Sequence, residues 1–139
     1  KDIEKLIAMQ PDSADNWILK GQLMQGMKMY GEASGAFEKA ITLGPGRADV
    51  YGMCAAALLH AGNSREAISV ADKGVALFPG NPGVIYNRGC IYAMSGDKVH
   101  ALADLRKAIE INPGLRQHAR KDEDFKNFWE DEEFKNITK

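Results

Sequence analysis

Large and small apolar residues follow one another along the chain at helical spacing. Trp17 is followed by Gly21 four residues later and by Met24 three residues after that. Residues i, i+4 and i+7 lie on one face of an α-helix, so this spacing predicts a helix that buries that face. A second stretch with apolar residues at helical spacing follows this predicted helix. A proline, which cannot donate a backbone hydrogen bond, then ends the pattern.

The same order of residue sizes recurs twice more at a spacing of 34 residues. The first copy consists of Trp17, Gly21, Met24, Ala33, Phe37, Ala40 and Pro45. The second consists of Tyr51, Ala55, Leu58, Ala67, Ala71, Gly74 and Pro79, and the third of Ile85, Gly89, Tyr92, Ala101, Leu105, Ala108 and Pro113. Because small residues let two helix backbones approach closely, this pattern predicts an array of helix pairs.

These residues resemble the tetratricopeptide repeat, a helix-turn-helix unit of about 34 residues. The resemblance implies an all-α fold, a right-handed α-α superhelical solenoid of antiparallel helix pairs. It further implies three full repeats, an N-terminal half repeat and C-terminal capping helices. Four positions depart from the family pattern: Lys20, Arg88, Ala71 and Gly74. Ala71 and Gly74 predict a thinner core in the second repeat.

The 34-residue register divides a single domain, residues 1–139, into five parts. The expected limits are 1–11 for the end of a preceding repeat, 12–47, 48–81 and 82–113 for the three repeats, and 114–139 for a C-terminal cap. Asp12 or Ser13 is expected to cap the helix that follows. The cap also resembles the closing element of bacterial tetratricopeptide arrays, a likeness carried by Asp122, Asp124, Phe125 and Phe134.

Composition narrows the class of partner. Lys and Arg number 18 against 19 Asp and Glu, giving a net charge of -1, so nothing favours nucleic acid. No apolar run is long enough for membrane insertion.

The chain starts without Met and within a repeat, so we expect a fragment from which a targeting signal could have been removed. Two cysteines without metal-type spacing predict reduced thiols within the helix packing and mildly favour the cytoplasm.

No arrangement of residues predicts catalysis, a cofactor or a metal site. His60, His100 and His118 fall on three different predicted elements and form no HExxH or related spacing. Gly44, Pro45 and Gly46 follow a helix and lack the lysine of a phosphate-binding loop. The expectation is therefore a protein that is not an enzyme.

The tetratricopeptide resemblance implies that first-helix residues line a concave, partner-binding groove. Carried over position by position, the candidate residues are Asp15, Ile18, Gln22, Gln25, Asp49, Ala56, Leu59, His60, Tyr86, Cys90 and Met94. The alternative for each is packing between neighbouring repeats. Lys20 and Arg88 lie at a place that should not face the groove. The basic residues that clamp a C-terminal carboxylate in one subfamily are missing from the matching positions.

Three functions remain open at this point. The first is a non-catalytic scaffold that binds a peptide or helix of a partner protein in the groove. The second is a structural module that forms homo-oligomers through the incomplete N-terminal helix. The third is a regulatory domain of a larger enzyme.

Overall fold

A computed structural model describes residues 2–139, which form an all-α fold without a strand. The α-helices are α1 Asp2–Met9, α2 Ala14–Gly26, α3 Tyr30–Leu43, α4 Ala48–His60, α5 Ser64–Leu77, α6 Pro82–Met94, α7 Lys98–Ile111, α8 Leu115–Lys121 and α9 Glu132–Ile137. A 3₁₀ helix, Glu123–Phe128, lies between α8 and α9. The all-α prediction is confirmed, and the repeat limits stay a prediction. No described helix is long and apolar enough to cross a membrane.

The described chain divides within α5 into two compact units, the first ending at Val70 and the second covering Ala71–Lys139. In the first unit, α2 packs against α3 and α3 packs against α4. Gly21 lies so close to Phe37 that a Cβ atom built on it would be 2.5 Å from the ring. The Phe37 ring is 0% exposed, and burial of such a side chain contributes about 2 kcal/mol. The predicted small-against-aromatic contact is therefore present.

Aromatic residues at the start of α2 and α4 are tied to the prolines that precede them. The indole nitrogen of Trp17 donates to the carbonyl of Pro11 at 2.9 Å. The hydroxyl of Tyr51 donates to the carbonyl of Pro45 at 3.0 Å. Both bonds span six residues, so the aromatic and proline positions of the repeat act together to fix the angle at which each helix begins.

The second unit is built on the hairpin of α6 and α7. A Cβ on Gly89 would meet the Asp104 Cβ at 3.2 Å and the Ala101 carbonyl at 3.3 Å. Leu105 is 0% exposed in the same interface. The 3₁₀ helix packs against α6, and α8 and α9 pack against α7. Phe125 and Phe134, predicted to belong to the cap, are buried with ring centroids 5.8 Å apart.

The turns inside the hairpins share one unusual backbone angle. Lys28, Gly62 and Gly96 stand 34 residues apart and have φ values of 61°, 93° and 85°. Positive φ is easy for glycine and costly for lysine, because only glycine lacks a Cβ atom. Of the two residues expected to cap α2, Ser13 accepts a backbone hydrogen bond with its side chain. The side chains of Asn81 and Asp97 do the same at α6 and α7.

Candidate peptide-binding surface and its C-terminal cover

In the first unit, the candidate partner-binding residues lie on α2 and α4 and differ in exposure. Asp15, Gln22, Asp49 and His60 are exposed, Gln25, Ala56 and Leu59 are half-buried, and Ile18 is buried. Neither glutamine side chain makes a hydrogen bond within the described chain. An exposed amide beside half-buried apolar side chains is the mixture that a peptide main chain and its side chains can use.

The two acidic candidates are joined through one arginine. The guanidinium of Arg47 donates to Asp15 at 3.0 Å and forms two bonds to Asp49, at 3.2 and 3.0 Å. The Arg47 hydrogen bond lowers the pKa of the Asp49 carboxyl below its ordinary value. Arg47 was not among the predicted site residues, because a contact between side chains 32 positions apart leaves no periodic signal.

His60 ends α4 beside an aromatic ring at the start of α3. The ring centroids of His60 and Tyr30 are 4.9 Å apart with the planes tilted by 35°. The imidazole is exposed. It therefore offers an aromatic edge and a hydrogen-bonding nitrogen at the rim of the first unit.

In the second unit, the candidates on α6 have a different environment. Met94 is half-buried, whereas Tyr86 and Cys90 are each 5% exposed. They lie beneath residues 122–128, which we call the return segment. The Tyr86 hydroxyl donates to the Asp122 carboxylate at 2.7 Å, and the Tyr86 and Phe125 ring centroids are 5.6 Å apart. The return segment thus lies on two of the three α6 residues at which partner contacts were predicted.

Tyr86 and Cys90 are both held in their protonated forms. Burial raises the pKa of the Tyr86 phenol, and its bond to Asp122 raises it further. Burial and the nearby Asp122 and Asp124 carboxylates raise the pKa of the Cys90 thiol. Burial also raises the pKa of Cys54 in the first unit, to about 12. Both thiols are free and buried, so neither is poised as a nucleophile.

Ligating atoms of Cys90, Asp122 and Asp124 lie within 4.8 Å of one another. The Asp122 carboxylate is engaged, however. It accepts from the Tyr86 hydroxyl, from the Cys90 thiol at 3.8 Å and from the Asp124 amide at 2.9 Å. These bonds make the cluster a hydrogen-bonded support for the return segment.

The two basic residues expected to avoid the groove are paired within their own units. Lys20 lies 3.2 Å from Glu4 in the first unit. Arg88 donates twice to Asp104 at 2.8 Å and once to Asp72 at 3.1 Å in the second. Their charges are therefore used for packing between helices.

A cleft of about 480 Å³ lies near the C-terminus and is lined partly by Arg120, Trp129 and Phe134, and by none of the first-helix candidates. The indole nitrogen of Trp129 is buried without a hydrogen-bond acceptor among the described residues. Such a group costs about 1–3 kcal/mol. Because the nitrogen is closed to solvent, a ligand in the cleft could not reach it, and the first-helix surface remains the better candidate site.

Comparison with known proteins agrees with this architecture. The solved structure of MamA superposes with a TM-score of 0.74 at 18% identity, over 98% of this chain and 78% of that one. YrrB, a tetratricopeptide protein with an unusual peptide-binding site, gives 0.65 at 20% identity, over 98% and 69%. The Arabidopsis OM64 tetratricopeptide domain gives 0.67 at 21% identity, over 90% and 93%. The hairpins and these likenesses define an all-helical repeat protein.

Sequence comparison places one repeat. Residues 82–115 match the family model of the tetratricopeptide repeat. This segment therefore carries a tetratricopeptide repeat, within a described chain whose fold is like that of tetratricopeptide proteins. A mouse (Mus musculus) protein, DnaJ homolog subfamily C member 7, is 28% identical over 114 residues, which are 82% of this chain. The matched part is 22% of that protein's length.

Proposed function

We propose that the chain is a non-catalytic module that binds a peptide or helix of a partner protein on the first-helix surface of the first unit. The observation that carries this proposal is the exposed side-chain amide of Gln22 on α2, which makes no hydrogen bond to another side chain or to the backbone of the described residues. The peptide-binding site of YrrB, a protein with the same fold, supports the class of ligand. We propose no nucleic-acid partner, because the net charge is -1.

The preferred ligand combines apolar side chains with a hydrogen-bonding main chain. Leu59 and Ala56 supply half-buried apolar surface, and Gln22 and Gln25 supply donors and acceptors. Arg47 offsets one of the two negative charges of Asp15 and Asp49, which weakens their attraction for a basic partner. Buried free thiols suit a reducing environment, so we propose the cytoplasm as the compartment.

A peptide-display selection on the full chain tests the proposal. Peptides selected on the native chain should bind Gln22→Lys at least 10-fold more weakly, a loss of about 1.4 kcal/mol. Lys39→Gln is the matched control, because Lys39 is an exposed residue of α3 outside the candidate surface. Unchanged affinity for Gln22→Lys, or an equal loss in both variants, would reject the surface.

Self-association is a second candidate, favoured by exposed apolar side chains on α1 and α2. Met9 is 78% exposed, Leu23 46% and Leu6 41%. Exposed apolar residues usually occur singly among polar ones. Several of them on adjacent helices are therefore suited to an interface. Light scattering over a wide concentration range distinguishes the two candidates. A constant monomer mass removes self-association, and a dimer that Leu6→Gln dissociates would favour it.

A further inference from the structure

The chain interrupts its repeat pattern at Lys121 and turns back over α6. Each of the three complete first helices, α2, α4 and α6, has 13 residues, whereas α8 has 7. Ala119, in the register of Trp17, is fully buried, so α8 begins as a further first helix. Asp122 then adopts an extended conformation, with φ −80° and ψ 117°, and its side chain caps the 3₁₀ helix.

The return segment places a carboxylate and an aromatic ring on α6. Asp122 receives the Tyr86 hydroxyl and the Cys90 thiol, and Phe125, three residues later, packs its ring against Tyr86. Tyr86 and Cys90 stand 68 residues after Ile18 and Gln22, which makes them the same two repeat positions. The return segment therefore occupies, in the second unit, the position that corresponds to Gln22, which carries the proposed function in the first, and the position that corresponds to the buried Ile18.

The Asp122 edge of this contact is polar and partly open to water. The Asp122 side chain retains 17% exposure, and the side chain of Glu123 beside it is 82% exposed. The deepest anchor is Phe125, which is 0% exposed and also contacts Phe134. A single aromatic anchor with hydrogen bonds at one side is the arrangement by which short peptides are recognised in grooves.

We propose that the return segment is a ligand bound in cis, and that the Tyr86–Cys90 surface of α6 is a binding site for peptides with an acidic residue three positions before an aromatic one. This inference rests on the proposed function and names a peptide class for one part of the first-helix surface. A partner peptide with the Asp-x-x-Phe pattern competes with the return segment. The partner peptide must overcome the effective concentration of the tethered return segment, which is on the order of millimolar. The return segment therefore sets a threshold of peptide concentration or affinity for binding.

Modification of Cys90 in the full chain measures whether the site opens. Iodoacetamide labelling followed by peptide mass mapping separates Cys90 from Cys54, which is 0% exposed and reports global unfolding. Asp122→Ala should raise the Cys90 labelling rate at least 10-fold with no change at Cys54, because Tyr86 and Cys90 lose their shared acceptor. Glu123→Ala is the matched control and should leave both rates unchanged, since that neighbouring acid is exposed.

Addition of a peptide then tests the ligand class. A capped peptide with the sequence of residues 121–130 should restore Cys90 protection in Asp122→Ala, and the same peptide with Phe125→Ala should not. Continued protection of Cys90 in Asp122→Ala, equal rises at both cysteines, or failure of the peptide to restore protection would each overturn the proposal. Gln22→Lys should leave this result unchanged, so failure of the first-unit surface is distinguishable from failure here.

Discussion

The hairpins α2–α3 and α6–α7 place glycine at the same step of the first helix and surround it differently. Gly21 faces a buried aromatic ring, whereas Gly89 faces Asp104 and the backbone carbonyl of Ala101. The preceding residue is basic in both hairpins. Lys20 reaches out to Glu4, whereas Arg88 turns to Asp104, which is 7% exposed. The repeat register fixes where the two backbones meet, and the residues of each hairpin decide whether ring packing or an ion pair fills the space.

The largest expected effect comes from removing the acid in the α6–α7 interface. Asp104→Ala should lower the free energy of unfolding by about 2 kcal/mol, because it leaves the partly buried Arg88 with only Asp72 and water. Urea unfolding followed by circular dichroism measures the loss. Glu4→Ala removes the corresponding partner of Lys20, and should change stability by less than about 0.5 kcal/mol because Glu4 is exposed.

The double variant Arg88→Met with Asp104→Leu sharpens this prediction. Apolar residues of similar size often replace buried ion pairs at little cost, so most of the lost stability should return. If Asp104→Ala were as mild as Glu4→Ala, the ion pair would not distinguish the two hairpins.

A smaller difference is expected from adding a methyl group at the two glycines. Gly21→Ala should cost about 1 kcal/mol, since overpacking against Phe37 outweighs the better helix propensity of alanine. Gly89→Ala should be close to neutral, because its new Cβ would meet neighbours at 3.2 Å rather than 2.5 Å. Thermal unfolding of both variants measures the contrast. In a Phe37→Leu background, Gly21→Ala should cost less stability than in the native chain, because the smaller side chain relieves the overpacking. Equal losses at the two glycines would contradict the contrast.

The smallest expected effect concerns the turns. Lys28→Gly should stabilise the chain by about 0.5 kcal/mol, because glycine relieves the positive φ but gains freedom in the unfolded state. Gly62→Ala should have the opposite sign, since it puts a side chain at φ 93°. Urea midpoints of the two variants give the comparison. A loss of stability in Lys28→Gly would mean that the lysine side chain makes a compensating contact.

Much of the fold follows from the sizes of residues along the sequence. The sequence shows a tiny residue at Gly21 and a bulky one at Phe37 in the same repeat, and residue type predicted a cap at Asp12 or Ser13, of which Ser13 is the one used. The pairing of polar side chains does not follow from the sequence in this way. Arg47 bridges Asp15 and Asp49, but a flexible charged side chain can reach many partners, and no spacing selects one.

The candidate site was predictable only in part. Periodicity and the family resemblance select which first-helix positions to consider, so Gln22 and Tyr86 were named together. Periodicity and resemblance do not predict that the chain turns at Asp122 and covers Tyr86, because residues 115–121 still follow the helical pattern. That outcome depends on a hydrogen bond between residues 36 positions apart. Use of Tyr86 by a partner stays a prediction.

The short connections within the hairpins also affect the order in which the chain folds. Residues 27–29 join α2 to α3, and residues 95–97 join α6 to α7. Contacts across such short loops lose little chain entropy, so each hairpin can nucleate by itself and early. The Tyr86–Asp122 bond needs α6, α7 and α8 in place before its two ends meet. We therefore expect the last step of folding in the second unit to be the docking of the C-terminal residues onto a hairpin that has already formed.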